Sequence, residues 1–296
     1  MQNPYQNLAG GRWMRVNFHT HAGTGYKTCG QNPIGPVAAI YREAGYDALC
    51  ISNHDHFTDA SEIGDGDFLM IPGVEYSQDE HMLTIGVHAS YHANDHQTAI
   101  NLTREGGGFT ILCHPNWPEK DFWPPEKMDR LTGFAGIEVM NTVIYRLSGS
   151  GRATDVWDRL LTAGRLKFGF GNDDFHMMTD AGRSFNLIYC RELTYDAIKQ
   201  AIFEGAFCAS TGLWLDYLRL EDGVLRVRAK YPRPTYIDTF TYRFITAHGR
   251  IAAEQTAQVG EYALQGEPYV RVEAVGENGA LLFCQPVYDP EQFHRD

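Results

Sequence analysis

The chain has 296 residues, with 37 Asp and Glu against 25 Lys and Arg, a net charge of −12, and 43% hydrophobic residues. That length suits one large α/β domain with a small appendage. The acidity argues against a general affinity for nucleic acid or anionic membrane, and neither a bilayer span nor a signal segment is expected. We therefore expect a soluble cytoplasmic protein. A small anionic substrate stays open, because bound divalent cations reverse the local field. None of the six cysteines forms a CxxC pair, which argues against a zinc ribbon or dithiol redox site. Cys50, Cys113, Cys190 and Cys208 lie in apolar strand-like runs and read as buried free thiols in a reducing compartment.

In chain order, residues 14–18 form a first strand ending in Phe18-His19-Thr20-His21. Side chains alternate along a strand, so His19 and His21 face one way and can reach one cation. A glycine-rich loop follows, then a helix opened by Pro36, carrying Val37, Ile40, Tyr41 and Ala44 and stopped by Gly45. Strands are expected at 48–52, before Asn53-His54-Asp55-His56, and at 68–71, before Pro72-Gly73-Val74-Glu75. Residues 82–87 form a fourth strand, with His81 before it and His88 after it. A helix over 97–105 ends at three glycines, and a strand over 109–113 runs into His114. A strand over 137–140 ends at Asn141. A helix capped by Thr154 or Asp155 carries Val156, Leu160 and Leu161 and stops at Gly164. A strand over 168–170 leads to Asn172-Asp173-Asp174-Phe175-His176. Alternating strands and helices imply a mainly parallel sheet or barrel, with functional groups at the carboxyl ends of its strands. Beyond Leu213, alternating runs and the turn pairs Asp222-Gly223 and Asn278-Gly279 predict a small antiparallel β region. Ten of the twelve histidines fall between His19 and His176, which assigns the chemistry to the first two thirds.

Neutral imidazole and ionised carboxylate are the ligands of zinc, manganese and iron. The candidates at successive strand ends are His19, His21, His54, Glu75, His81 or His88, His114, Asp174 and His176. The motifs FHTH at 18–21, NHD at 53–55, PGVEYS at 72–77, HMLTIGVH at 81–88, CHP at 113–115 and GNDDFH at 171–176 resemble those of the PHP (polymerase and histidinol phosphatase) metallo-hydrolases, over residues 15–212. The stretch GYDALCISNHD and the β region ending in CQPVYD look closest to the CehA/McbA-like branch. The resemblance implies a distorted (β/α)7 TIM-like barrel over 1–212, a β-sandwich-like domain over 213–296, and two or three divalent cations. By match of motif, His19, His21, Glu75 and Asp174 hold one metal. Glu75 bridges to a second, also held by His114 and by His81 or His88, with a slight preference for His88. His54 and His176 serve a third.

Two departures bear on that third site. The family's first motif continues into Ser-Asp-Gly, where this chain has Gly25-Tyr26-Lys27 without a carboxylate. Its Thr-Asp-His becomes Ser52-Asn53-His54. The third site is therefore expected to be weak, empty or differently built, with Asp55 or His56 as candidates to compensate. Tyr26, Lys27, Arg183 and Asn141 are candidate substrate contacts, each weighed against an ordinary loop, surface or turn role. His92 and His96 are expected to be exposed, His248 to sit in a turn, and Trp117, Trp123 and Trp157 to be core or pocket wall.

The first functional reading is a phosphoesterase using a metal-activated hydroxide at a di- or trinuclear site. Glu75, Asp174 and His176 are its catalytic candidates, Asp174 or a histidine moving the proton to the leaving group. The second is hydrolysis of a carbamate, ester or amide on the same site. The third is a metal-binding module without turnover. The expected partner is a small hydrolysable molecule, and the expected cofactors are zinc, manganese or iron ions.

Overall fold

Short runs rich in β-branched and aromatic residues, punctuated by glycine and proline, make strands the dominant element of this chain. The structure, a computed structural model, describes residues 1–25, 28–90, 93–119, 121–233 and 235–294. Its first part runs β1 (Arg12–Asn17), α1 (Ile34–Glu43), β2 (Ala48–Ile51), β3 (Leu69–Tyr76), β4 (Met82–Ile85), α2 (His96–Glu105), β5 (Phe109–Leu112), α3 (Pro125–Arg130), β6 (Gly136–Asn141), α4 (Thr154–Thr162), β7 (Phe168–Asn172), β8 (Phe185–Cys190), α5 (Tyr195–Glu204) and β9 (Phe207–Ser210). The rest is all β: β10 (Trp214–Glu221), β11 (Val224–Lys230), β12 (Phe240–Thr246), β13 (Arg250–Ala257), β14 (Gly260–Ala263), β15 (Tyr269–Val275), β16 (Leu281–Cys284) and β17 (Val287–Tyr288). No described helix is long and apolar enough to cross a membrane.

Local chemistry explains the helix ends. Asp95 caps α2 by accepting from Thr98 N, and Thr194 caps α5 by accepting from Ala197 N. The expected caps of α4, Thr154 and Asp155, lie instead in its first turn. The capping position is Ala153, without a side-chain bond, while Asp155 accepts from Asn116 Nδ2 at 2.8 Å. His96 is buried rather than exposed, its Nε2 donating to Glu80 O at 2.6 Å.

The main sheet follows the order β13-β12-β15-β16-β9-β8-β1-β2-β3-β4-β5-β6-β7, with β17 on β15. It is mixed. β1-β2, β2-β3, β5-β6 and β6-β7 are parallel, whereas β4 is antiparallel to β3 and β5, and β8 to β1 and β9. The 77–81 connection is too short for a crossover, so β4 must return beside β3 in the opposite sense. Among the described residues no ladder joins β7 to β8. Asn186 spans that gap, accepting from Gly171 N at 3.1 Å and donating to Gly171 O at 2.8 Å. Beyond the strand tips, His21 N donates to Phe175 O at 2.8 Å.

The sheet continues through β9–β16 pairing into the C-terminal strands. A second sheet, β10-β11-β14, packs Leu215, Leu218, Leu225 and Val227 against Tyr242, Phe244 and Val272 of the first. Asp222 and Gly223, with φ of 51° and 75°, make the hairpin turn between β10 and β11. Trp123 and Trp157 belong to the core around β5–β7.

Candidate metal centre

Strand direction decides which side chains meet. The C-terminal ends of β1, β2, β3, β5, β6 and β7 share one edge, and the antiparallel β4 brings its N-terminal end there. His19 and His21 follow β1, His54 follows β2, Glu75 lies near the end of β3, and His81 precedes β4. His114 follows β5, and Asp174 and His176 follow β7. His114 and Asp174 have φ of 29° and 53°, a sparsely populated region that turns each side chain inward just past its strand.

Glu75 is the hub. Its Oε1 stands 3.2 Å from His19 Nε2, 3.0 Å from His81 Nδ1 and 3.7 Å from His114 Nε2. Its Oε2 stands 3.2 Å from His21 Nε2 and 2.8 Å from His54 Nδ1. Asp174 Oδ1 lies 3.2 Å from both His19 Nε2 and His21 Nε2. Yet His19 Nε2, both His21 ring nitrogens, both Glu75 oxygens and Asp174 Oδ1 are buried without a hydrogen bond in the chain. Such groups cost free energy unless something else satisfies them.

The tautomer of His19 shows what that something is. Its Nδ1 bonds Glu138 Oε1 at 2.8 Å, which places the proton on Nδ1 and a bare lone pair on Nε2. Nε2 then faces carboxylate oxygens, an arrangement that calls for positive charge between them, from a proton or a metal cation. Ligands about 2.1 Å from one cation stand about 3.0–3.4 Å apart at octahedral to tetrahedral angles, and the 3.2 Å contacts among His19, His21, Glu75 and Asp174 match that separation. The donor set therefore fits divalent cations: His19, His21, Glu75 and Asp174 around one position, and Glu75, His81 and His114 around a second.

The electrostatics agree. Burial pushes the His19 and His21 rings down, but Asp174 and Glu75 outweigh it and raise both well above the usual histidine range, with Glu138 adding at His19 and Cys29 at His21. Burial likewise lowers His54, and Glu75 and Cys29 bring it up to about 9. Burial would raise Glu75 and Asp174, yet the surrounding imidazoles hold both well below the carboxylate range. The pocket is a set of ionised carboxylates demanding positive charge.

Two residues at this centre were absent from the sequence-based set. Glu138, fully buried in β6, accepts from His19 Nδ1, from Asn172 Nδ2 at 2.9 Å, from His114 N at 2.9 Å and from Asn141 Nδ2 at 2.8 Å. Cys29, the one exposed cysteine, has its sulfur within 4.8 Å of ligand atoms of His21, His54 and His176. Burial pushes its thiol up, but hydrogen bonds from His176, His21 and His54 bring it down to about 4. Cys113 also approaches the cluster, but burial raises its thiol well above the usual value and keeps it neutral.

Other expectations are corrected. His88 is exposed, its ring 6.3 Å from Phe57, and it belongs to none of the groups of ligand atoms among the described residues. Arg183 is exposed, its Nε donating to Thr179 O, and Asn141 is buried behind the carboxylates, donating to Glu138 and Asp174. Neither lines the cavity. Asp55 accepts from Ser77 N, and neither Asp55 nor His56 belongs to any of the groups of ligand atoms among the described residues. Asn53 accepts from Ala22 N and donates to Ala22 O, a two-way pairing that an Asp cannot make. Tyr26, Lys27 and His92 lie outside the described residues. A cavity of about 180 Å³ opens over the cluster, lined among others by Trp117, Val143, Arg146 and Leu147. A larger one of about 700 Å³ lies elsewhere, beside the paired charges of Asp158, Arg271 and Glu273.

A scan of protein-family models and a search of curated proteins found no match. Among solved structures, the chain is similar to a two-domain protein containing a predicted PHP-like metal-dependent phosphoesterase from Bacteroides vulgatus ATCC 8482. The TM-score is 0.53 and the sequence identity 17%, over 92% of this chain and 94% of that one. At that identity the likeness is one of fold, and it extends over nearly the whole of both chains.

Proposed function

We propose that the chain is a PHP-type metal-dependent hydrolase of small phosphoesters, its barrel-like part over 1–212 and its β part over 213–296, closest to the CehA/McbA-like branch. The observation that carries this reading is the orphaned, mutually facing set His19, His21, Glu75 and Asp174, which bound divalent cations would satisfy. The fold likeness supports it. Zinc, manganese or iron ions, two or three of them, suit these donors. Bound divalent cations lower the pKa of water and polarise a phosphoryl oxygen.

The chain's own groups do the rest. Glu138 holds the His19 ring by its Nδ1, and Glu75, with His19, His81 and His114 around one oxygen and His21 and His54 around the other, would be shared between the metal positions. Arg146 sits on the cavity rim, its Nε and Nη2 bound to Asp180 at 2.8 and 3.0 Å. With that pairing holding the guanidinium at the cavity, we assign it the grip on an anionic oxygen that was expected of Arg183. His176 lines the cavity with Nδ1 donating to Asp174 O at 2.9 Å, which leaves its other nitrogen as a candidate ligand beside the cluster. The cavity is smaller than the ~300–1,000 Å³ of pockets that enclose drug-sized ligands, which favours a small substrate or the tip of a larger one. The apolar wall of Trp117, Val143 and Leu147 favours a second reading, hydrolysis of a carbamate or ester with an apolar group.

Metal analysis of the purified protein, with panels of phosphoesters, aryl carbamates and esters, tests both. We expect bound divalent metal and phosphoester turnover that Glu75→Ala abolishes. Turnover of carbamates alone favours the second reading. Metal-free protein, with Glu75→Ala indistinguishable from wild type on every substrate, defeats the assignment.

A further inference from the structure

We propose that Cys29, His54 and His176 form a thiolate-containing third cation site beside the carboxylate-bridged pair, in the position where the sequence lacks a carboxylate. The inference rests on the metal-hydrolase reading of the neighbouring pair. The loop after β1 is folded to deliver the sulfur. Gly23 N donates to Asn32 O at 2.7 Å, and Thr28 N and Oγ1 both donate to Gly25 O. Gly30 packs so closely on the β1 tip that a Cβ there would lie 1.9 Å from His21 O, so only glycine fits after Cys29.

Three imidazoles meet the sulfur. The His21 ring stacks against His54 at 4.6 Å and against His176 at 4.3 Å, and one ligand atom from each of the four residues lies within 4.8 Å of every other. His176 Nδ1 donates to a carbonyl, which leaves its second nitrogen a bare donor. His54 Nδ1 contacts Ser77 Oγ and Glu75 Oε2, leaving one ring nitrogen. His21 is fully buried with neither ring nitrogen hydrogen-bonded, so the wall shared by the two sites is itself unsatisfied. A site with one sulfur and two or three nitrogens selects zinc over magnesium, calcium or manganese, which prefer oxygen. The third position thus differs in metal preference from the carboxylate-rich pair.

Cobalt titration of chelator-stripped protein tests the site, with Cys29→Ser beside wild type. In wild type we expect a sulfur-to-cobalt charge-transfer band in the near ultraviolet, and a sulfur neighbour at about 2.3 Å by X-ray absorption after zinc loading. Cys29→Ser should lose both and bind one equivalent fewer. Because the other five cysteines are buried, iodoacetamide on the folded, stripped protein should label Cys29 alone, and zinc should block it. Equal uptake by both proteins, without a sulfur band and with Cys29 labelled equally with or without zinc, overturns the thiolate site and leaves the pair standing. No uptake by either protein overturns both.

Discussion

Glu138 touches no solvent and faces no cavity, yet it sets the geometry of the centre. Each of its oxygens accepts two donors: His19 Nδ1 and Asn172 Nδ2 at Oε1, His114 N and Asn141 Nδ2 at Oε2. Burial favours its neutral form, but the adjacent His19 holds it in the charged one. Every donor therefore points at a charge, and both His19 and the backbone of His114 are oriented by it. A glutamine here turns one oxygen into an NH2 facing two donors. Glu138→Gln should weaken metal retention by about 10–100-fold and cost about 1–3 kcal/mol of stability from the donors left unpaired. Competition against a graded chelator, beside urea unfolding of the stripped protein, separates the two effects. Wild-type retention in the variant would show that Glu138 is only a buried anion. A lone glutamate inside the apolar run Gly136–Asn141 was the available sign, since ionised residues are almost never fully buried unless paired.

At the level of elements, direction matters more than position in sequence. Most of the centre was legible because HxH after an apolar run, and Glu75, His114 and Asp174 near strand ends, follow from side-chain alternation and the habit of α/β sheets. What periodicity does not carry is whether a strand runs up or down. Residues 82–85 look the same either way, so the slight preference for His88 over His81 assumed a parallel strand, whereas β4 is antiparallel to β3. Cys29 and Arg146 stayed hidden for a related reason. Each sits on irregular backbone, a glycine-rich loop and a 3-10 turn over Val143–Arg146, where no repeat links sequence position to spatial position. The strand argument has a direct check. His81→Ala should lower bound metal and broaden or abolish binding at the second position, whereas His88→Ala should keep the full wild-type complement. Equal metal content in the two variants, by elemental analysis after gel filtration, would contradict the direction assigned to β4.

Across the whole molecule, the part that carries the candidate metal centre and the C-terminal strands share one sheet through β9 and β16, and a buried charge cluster fastens them a second time. Arg271 of β15 donates Nε and Nη2 to Asp158 of α4 at 2.7 and 2.6 Å, and Nη1 to Glu273 at 2.6 Å. Glu273 is also paired with Arg152. Arg271 is 2% exposed, so its desolvation is repaid only while both carboxylates stay in place. Removing one partner leaves a buried guanidinium half satisfied. Asp158→Ala should therefore destabilise by about 3–5 kcal/mol, far above the ~0–1 kcal/mol of a surface pair. The double variant Asp158→Leu with Arg271→Met should recover part of that loss, because it removes the stranded charge and leaves Glu273 with Arg152. With the sheet continuous, both variants should still unfold in one transition, seen alike by near-ultraviolet signal and by fluorescence in urea. Two separated transitions in the wild type, or a single variant that costs no more than a surface pair, would mean that the C-terminal strands are attached to the N-terminal part rather than folded with it.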